Sequence, residues 1–179
     1  TALVTGGGRG VGRGIALALA DAGAAVIVND LHLDRAEAVA EEIREAGGRA
    51  AGLAGDVRSL DAVRAFVAES ERKIGPVDIL VNNAGIPDTF VPMLFRDSGP
   101  DHWDEFLRLN LYGVLNCVKA TIDGMSARGW GRIITISSEA WRMGTTIGIS
   151  MYAAGKAGAI GFTRQLSWEV GAAGVTANC

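Results

Sequence analysis

Ala2-Leu3-Val4-Thr5-Gly6-Gly7-Gly8-Arg9-Gly10-Val11-Gly12 is a short apolar run, then a glycine-rich turn, then the start of an amphipathic stretch reaching about Ala22. The run Ala2–Val4 predicts a strand, and the stretch beyond the turn predicts a helix. A glycine-rich turn in that setting lets backbone come close to a phosphate. The first turn of the helix then directs free N–H groups and a positive dipole end at it. Gly6, Gly10 and Gly12, with Arg9 and Val11 between them, are the candidate residues. Their spacing is Thr-Gly-x-x-x-Gly-x-Gly, which differs from the commoner Gly-x-Gly-x-x-Gly. A turn serving structure alone would read similarly, so the weight falls on what surrounds it.

Outward from this stretch, strand-length runs alternate with helical patterns. Ala25–Val28 predicts a second strand, followed by a helix from about Asp34 to Ala46. Ala50–Ala54 is a weaker third strand, and Val63, Phe66, Val67, Ser70 and Ile74 carry helical spacing. Ile79–Val81 is the fourth strand, and Leu111, Val114, Leu115, Val118, Ile122 and Met125 mark one stripe of a long helix. Arg132–Ile136, a helix from about Ser150 to Val170, and Val175–Cys179 complete the pattern. Ile86–Asp101, with Pro87, Pro92 and Pro100, is the one long loop candidate. Repeated βαβ units with right-handed crossovers build a Rossmann-like, doubly wound parallel sheet with helices on both faces. The expected organisation is a single α/β domain over residues 1–179.

Composition excludes several classes. A formal net charge of −3 gives no reason to expect nucleic acid or an anionic membrane as a partner. No apolar run approaches the ~18 residues of a membrane span. Residue 1 leads straight into a strand, and no signal peptide is expected. Two cysteines, Cys117 and Cys179, make no disulfide framework, and a reducing, cytoplasmic setting is expected. Cys117 falls on the apolar face of its helix and is expected in the core. No metal-ligand set is read.

Two further groups point to chemistry. Asp30 ends the second strand, 18 residues past Gly12, where an acid can accept hydrogen bonds from the ribose hydroxyls of an adenosine. Arg9 argues the other way, because a guanidinium can hold a 2′-phosphate. A carboxylate ~4 Å from that phosphate costs on the order of 4 kcal/mol at an effective dielectric of ~20. That is roughly three decades in affinity. NAD is therefore the expected cofactor and NADP the alternative, since Arg9 could pair with Asp30 and partly cancel it. Tyr152 and Lys156 lie four apart on one helix face. A free phenol, with a pKa of about 10, is a poor base at pH 7. Bringing it to about 7 takes roughly 4 kcal/mol of preference for the phenolate. One ammonium at ~4 Å and an effective dielectric of ~20 supplies about that much.

Six motifs then coincide in order and approximate spacing. They are Thr5-Gly6-x-x-x-Gly10-x-Gly12, Asp56-Val57, Asn82-Asn83-Ala84-Gly85, Asn110, Ser137-Ser138 and Tyr152-x-x-x-Lys156. Over essentially its whole length the chain resembles the short-chain dehydrogenase/reductase family, in its simple, single-domain branch. The resemblance implies an NAD(P)-dependent oxidoreductase that moves a hydride between nicotinamide and a secondary alcohol or ketone. It implies Tyr152 as acid/base, Lys156 lowering its pKa and binding the nicotinamide ribose, Ser138 polarising the substrate oxygen, and Asn110 holding a relay water. It implies that Asp56 bonds the adenine amino group with Val57 against the ring, and that Asn83, Ala84 and Gly85 brace the sheet edge beside the cofactor.

The Ser138–Tyr152 separation of 14 is one longer than the commonest family spacing, which leaves open which serine faces the substrate. Trp141, Arg142, Met143, Ile147 and Met151 fall where pocket walls are expected and suggest an apolar alcohol or ketone, such as a 3-oxoacyl thioester, a cyclic alcohol or a steroid-like ketone. A homotetramer or homodimer through the catalytic helix and the preceding long one is also implied. Family members continue past a sixth strand into a substrate lid and a seventh strand, so a C-terminally incomplete chain is expected. A non-catalytic nucleotide sensor or scaffold on the same fold is the competing function, and an epimerase or dehydratase is a third. The four-residue set Asn110, Ser138, Tyr152 and Lys156 argues against the former, and the spacing of the glycine turn against the latter.

Overall fold

A computed structural model describes residues 1–179. Six parallel strands form one sheet: β1 (Ala2–Thr5), β2 (Val26–Asp30), β3 (Ala50–Ala54), β4 (Ile79–Asn82), β5 (Gly131–Thr135) and β6 (Val175–Asn178), in the order β3-β2-β1-β4-β5-β6. The chain winds outward in one direction from β1 to β3 and in the other from β4 to β6. The order therefore reverses between β1 and β4, where an open parallel sheet leaves a crevice at its carboxyl ends.

The helices are α1 (Gly10–Asp21), α2 (Leu33–Glu45), α3 (Leu60–Lys73), α4 (Pro100–Leu107), α5 (Gly113–Ala127) and α6 (Ser150–Val170). Two apolar layers hold them to the sheet. On one face Val4, Val26, Val28 and Val81 pack with Ala16 of α1 and Ala36, Val39 and Ile43 of α2. On the other, Leu3, Ile27, Leu80 and Ile133 pack with Phe66 of α3, Cys117 and Met125 of α5, and Leu166 of α6. Alternate residues of β2 thus serve opposite layers, and all five are buried, as a strand covered on both faces requires. Cys117 sits in that core, and burial pushes its thiol up to about 12. At β6, Val175 and Ala177 are buried while Thr176 and Asn178 are exposed, so only one face of this strand is covered. No helix is long and apolar enough to cross a membrane.

The element bounds follow the sequence pattern to within three residues, with two exceptions. The long Ile86–Asp101 loop ends in a 3-10 turn, Phe95–Asp97, and then in helix α4, which begins at Pro100. Proline reads as a helix breaker, yet at the first helical position the N–H it lacks would have had no partner, and its fixed φ suits the turn. The long helix is also interrupted. Between α4 and α5 the backbone widens into a π-turn, Arg108–Tyr112, which carries Asn110.

Candidate active site

A cavity of about 530 Å³ opens at the carboxyl ends of the strands. That volume suits a small-molecule or cofactor site. Its floor is the turn between β1 and α1. Gly6 and Gly10 have φ of +58° and +53°, the left-handed region that glycine alone enters freely. A Cβ on Gly12 would stand 2.1 Å from the Gly6 carbonyl oxygen, so α1 can approach this turn only as glycine. The turn is stitched to the end of β4. Thr5 Oγ1 accepts from the N–H groups of Asn83 (3.1 Å) and Ala84 (3.2 Å). Asn83 Nδ2 donates to the carbonyls of Thr5 and Gly6, both at 3.0 Å. Asn83 and Ala84 therefore fix the floor, and Gly6, Gly10, Val11, Gly12 and Gly85 line it with them.

Asp30 closes one side. Its carboxylate accepts from the N–H of Gly8 (3.1 Å) and of His32 (3.2 Å) and is almost fully buried. A carboxylate offers about four acceptor sites, so two remain for a ligand hydroxyl. Arg9 does not pair with Asp30. It reaches Asp88, in the loop after β4, at 2.5 Å. Asp88 also accepts from the His32 ring at 2.8 Å and from Arg35 at 3.0 Å. The His32 hydrogen bond, followed by those of Arg35 and the field of Arg9, holds the Asp88 carboxyl down to about 2 against some desolvation.

Asp56, at the end of β3, is gripped by Arg58, whose Nε lies 2.9 Å from both carboxylate oxygens. Burial alone would raise this carboxyl, but the Arg58 hydrogen bonds and charge outweigh it and lower the pKa. Val57 lines the cavity and also belongs to the core, where its carbonyl accepts from Asn116 Nδ2 at 2.9 Å.

At the opposite end, Tyr152 and Lys156 face the cavity from the first turns of α6. Lys156 is only 4% exposed, and burial brings its ammonium down to about 8. Its Nζ lies 5.8 Å from the centre of the Tyr152 ring and donates to the Ile136 carbonyl at 2.7 Å. Asn110 is wholly buried. Its Nδ2 donates to Phe106 O at 3.2 Å, while its Oδ1 has no protein partner. Gly85 links the two: a Cβ there would stand 2.8 Å from Asn110 Oδ1 and 2.8 Å from Lys156 Nζ. The orphaned acceptor and the ammonium thus converge on one small space beside a glycine. A buried acceptor left in this way calls for a water or ligand donor.

The two serines, left open by the spacing, are placed differently. Ser137 lines the cavity, and its buried Oγ has no partner. Ser138 caps a 3-10 turn, Glu139–Trp141, with its Oγ accepting from Ala140 N–H at 3.2 Å. Arg142, expected among the pocket walls, is paired with Glu139 at 2.9 Å. The sequence reading missed Arg35, Asp88 and Arg58. Arg35 had a signal, since it follows Asp30 by five residues in the first turn of α2. Asp88 had none, because its partners lie 79, 56 and 53 residues away.

The family model described as short chain dehydrogenase matches residues 1–179. The chain is 37% identical to the (2S)-[(R)-hydroxy(phenyl)methyl]succinyl-CoA dehydrogenase subunit BbsD of Thauera aromatica over 178 residues, 99% of this chain and 70% of that protein. It is 41% identical to the 3-oxoacyl-[acyl-carrier-protein] reductase FabG of Pseudomonas aeruginosa over 177 residues, again 99% of this chain and 70% of the relative. A gluconate 5-dehydrogenase from Burkholderia cenocepacia, solved in complex with NADP and tartrate, superposes with a TM-score of 0.91 at 38% identity, covering 99% of this chain and 68% of that one. The chain belongs to the short chain dehydrogenase family.

Proposed function

We propose that the protein interconverts secondary alcohols and ketones, with a nicotinamide dinucleotide supplying or accepting the hydride. The carrying observation is that one cavity joins a glycine cradle and Asp30 at one end to Tyr152, Lys156 and Asn110 at the other. The cradle fits a dinucleotide, because backbone lies bare where a Cβ would fill it, and the helix N-terminus beyond it suits a pyrophosphate. Gly6, Arg9, Gly10, Val11 and Gly12 would hold the phosphates, Asp30 the adenosine ribose and Asp56 the adenine. The Arg58 pairing leaves Asp56 only part of its acceptor capacity for that contact.

Tyr152 removes the hydroxyl proton in oxidation and returns it in reduction. Lys156, desolvated beside it, favours the phenolate and donates to ribose hydroxyls. Asn110 Oδ1 holds a water that passes protons between Lys156 and solvent. Ser138, or Ser137 with its free Oγ, donates to the substrate oxygen. A positioned acid or base contributes typically 10²–10⁴-fold. Tyr152→Phe should therefore lose at least a hundredfold in turnover while dinucleotide still binds, measured by nicotinamide absorbance and by calorimetry. Near-normal turnover would refute the assignment of Tyr152.

NAD is the preferred cofactor in this reading. Asp30 is uncompensated, since Arg9 turns to Asp88. The NADP bound to the gluconate 5-dehydrogenase keeps the phosphorylated cofactor in view as the alternative. Exposed Val91, Leu94, Trp141, Met143 and Ile147, on the loops after β4 and β5, support an apolar substrate such as a 3-oxoacyl thioester or cyclic alcohol. Exposed Tyr112 and Trp168, the latter 82% accessible on α6, support self-association as a dimer or tetramer through α5 and α6. The free thiols of Cys117 and Cys179 suit a reducing, cytoplasmic setting.

A further inference from the structure

Arg9 comes from the glycine turn, and His32 and Arg35 come from the N-cap and first turn of α2. They nevertheless converge on one carboxylate, that of Asp88, at 2.5, 2.8 and 3.0 Å. The convergence lies beside Asp30. A Cβ on Gly8 would stand 2.7 Å from both Asp30 Oδ2 and Arg35 Cβ, and the His32 N–H donates to Asp30. All four residues other than His32 line the same cavity. Asp88 hangs from the loop after β4, whose far part is tied to the other side of the cleft by a bond from Met93 N–H to Gly148 O at 2.9 Å. It belongs to neither the glycine turn nor the strand end, so the family's usual cofactor contacts do not account for it.

We propose that Asp88 is a second cofactor-selectivity residue, which holds Arg9, Arg35 and His32 away from the 2′-phosphate of NADP and adds its own negative charge against it. The proposal rests on the dinucleotide reading above. Two guanidiniums with an imidazole beside them are a natural cradle for a phosphate. Here one nitrogen of each meets a carboxylate, which a 2′-phosphate must displace. NAD has no 2′-phosphate to compete for them, and its pyrophosphate would lie against the backbone N–H groups of the glycine turn. Asp30 and Asp88 then act together, one at the ribose and one at the cations around it.

The test is calorimetric titration of NAD and NADP into the unaltered protein, Asp88→Asn, and the double variant Asp88→Asn/Arg9→Gln. Exposed ion pairs are individually weak, so releasing three corresponds to about a tenfold gain. The expected result is that Asp88→Asn tightens NADP about tenfold and shifts the ratio of the two dissociation constants by the same factor. The double variant should lose most of that gain. A loop tether without selectivity would move both constants together, and that outcome overturns the proposal, as does an unchanged NADP constant. Failure of the unaltered protein to bind either dinucleotide would overturn the functional reading itself, and is told apart because it precedes any substitution. Thermal unfolding of each variant confirms that the comparison is made between folded proteins.

Discussion

At the scale of single residues, Lys156 concentrates the electrostatic cost of the site. Its ammonium is buried, with one carbonyl acceptor and no carboxylate partner among its hydrogen bonds. Burial lowers its pKa to about 8 from the ordinary 10.5. The folded protein therefore binds fewer protons than the unfolded chain between those values, and stability rises with pH across the window. Below about pH 8 the full cost is present; by pH 10.5 it has been relieved. The difference corresponds to about 3 kcal/mol. Lys156→Met removes the charge and should unfold at higher denaturant than the unaltered protein at pH 7, with the gap closing as pH rises toward 10. Titration of Cys117 and other groups common to both proteins cancels in the comparison. Parallel curves from pH 7 to 10 would show that Lys156 is not desolvated in solution. The same substitution should abolish turnover, so this is stability surrendered for chemistry.

At the scale of elements, the site depends on how closely α6 approaches the π-turn. Gly155, one residue before Lys156, allows it: a Cβ there would stand 2.8 Å from Asn110 Cβ. Gly155→Ala would gain roughly 0.5–1 kcal/mol in helix propensity. Forcing a methyl into packed space costs about 1–3 kcal/mol, which is the larger effect. The variant should be destabilised and should lose tenfold or more in turnover as Asn110 and Lys156 move apart, with a smaller change in dinucleotide affinity. Gly14→Ala is the internal control. It lies within α1, away from the helices proposed for self-association, with nothing within 4 Å of its Cβ, so only the propensity gain applies and stability should rise. A Gly155→Ala protein as stable and active as that control would show that the contact is not tight. None of this was readable in the sequence. The apolar stripe from Leu111 to Met125 marked α5, but a π-turn leaves no periodicity of its own. Pro100 looked like a loop residue because only its place at the start of α4 makes it compatible with a helix. What was legible was local. The switch from period 2 to period 3.6 gave the order of elements, and the glycines, Asp30, Tyr152 and Lys156 stand at fixed offsets from strand and helix ends. The Asp88 cluster and the place of Ser137 depend on pairings across the cleft, where one strand-end residue more or less changes which side chain faces in.

At the scale of the molecule, the cavity is assembled from the loops that follow β1, β2, β3, β4 and β5, together with α6. The halves of the sheet meet at the β1–β4 pair, three residues long in register, in the bonds of Asn83 and Ala84 to the glycine turn, in the Asp88 ion pairs, and in the two helix layers. A dinucleotide lying across the strand ends would touch Asp30 and Asp56 on one side and Lys156 on the other, and so tie both halves together. It binds the folded chain and has no site on the unfolded one. At one hundred times its dissociation constant, such a ligand stabilises by about 2.7 kcal/mol. A chain of this length gains roughly 2–4 °C in Tm per kcal/mol, so saturating NAD should raise Tm by about 5–10 °C. At the same concentration NADP should raise it by less, because Asp30 and Asp88 oppose its phosphate. Scanning fluorimetry with NAD, NADP and AMP resolves the contributions. AMP reaches only the adenosine end and should shift Tm by less than NAD; equal shifts from the two would mean that the Lys156 end contributes nothing to cofactor binding, and with it the joint cleft on which the proposed chemistry depends would fall.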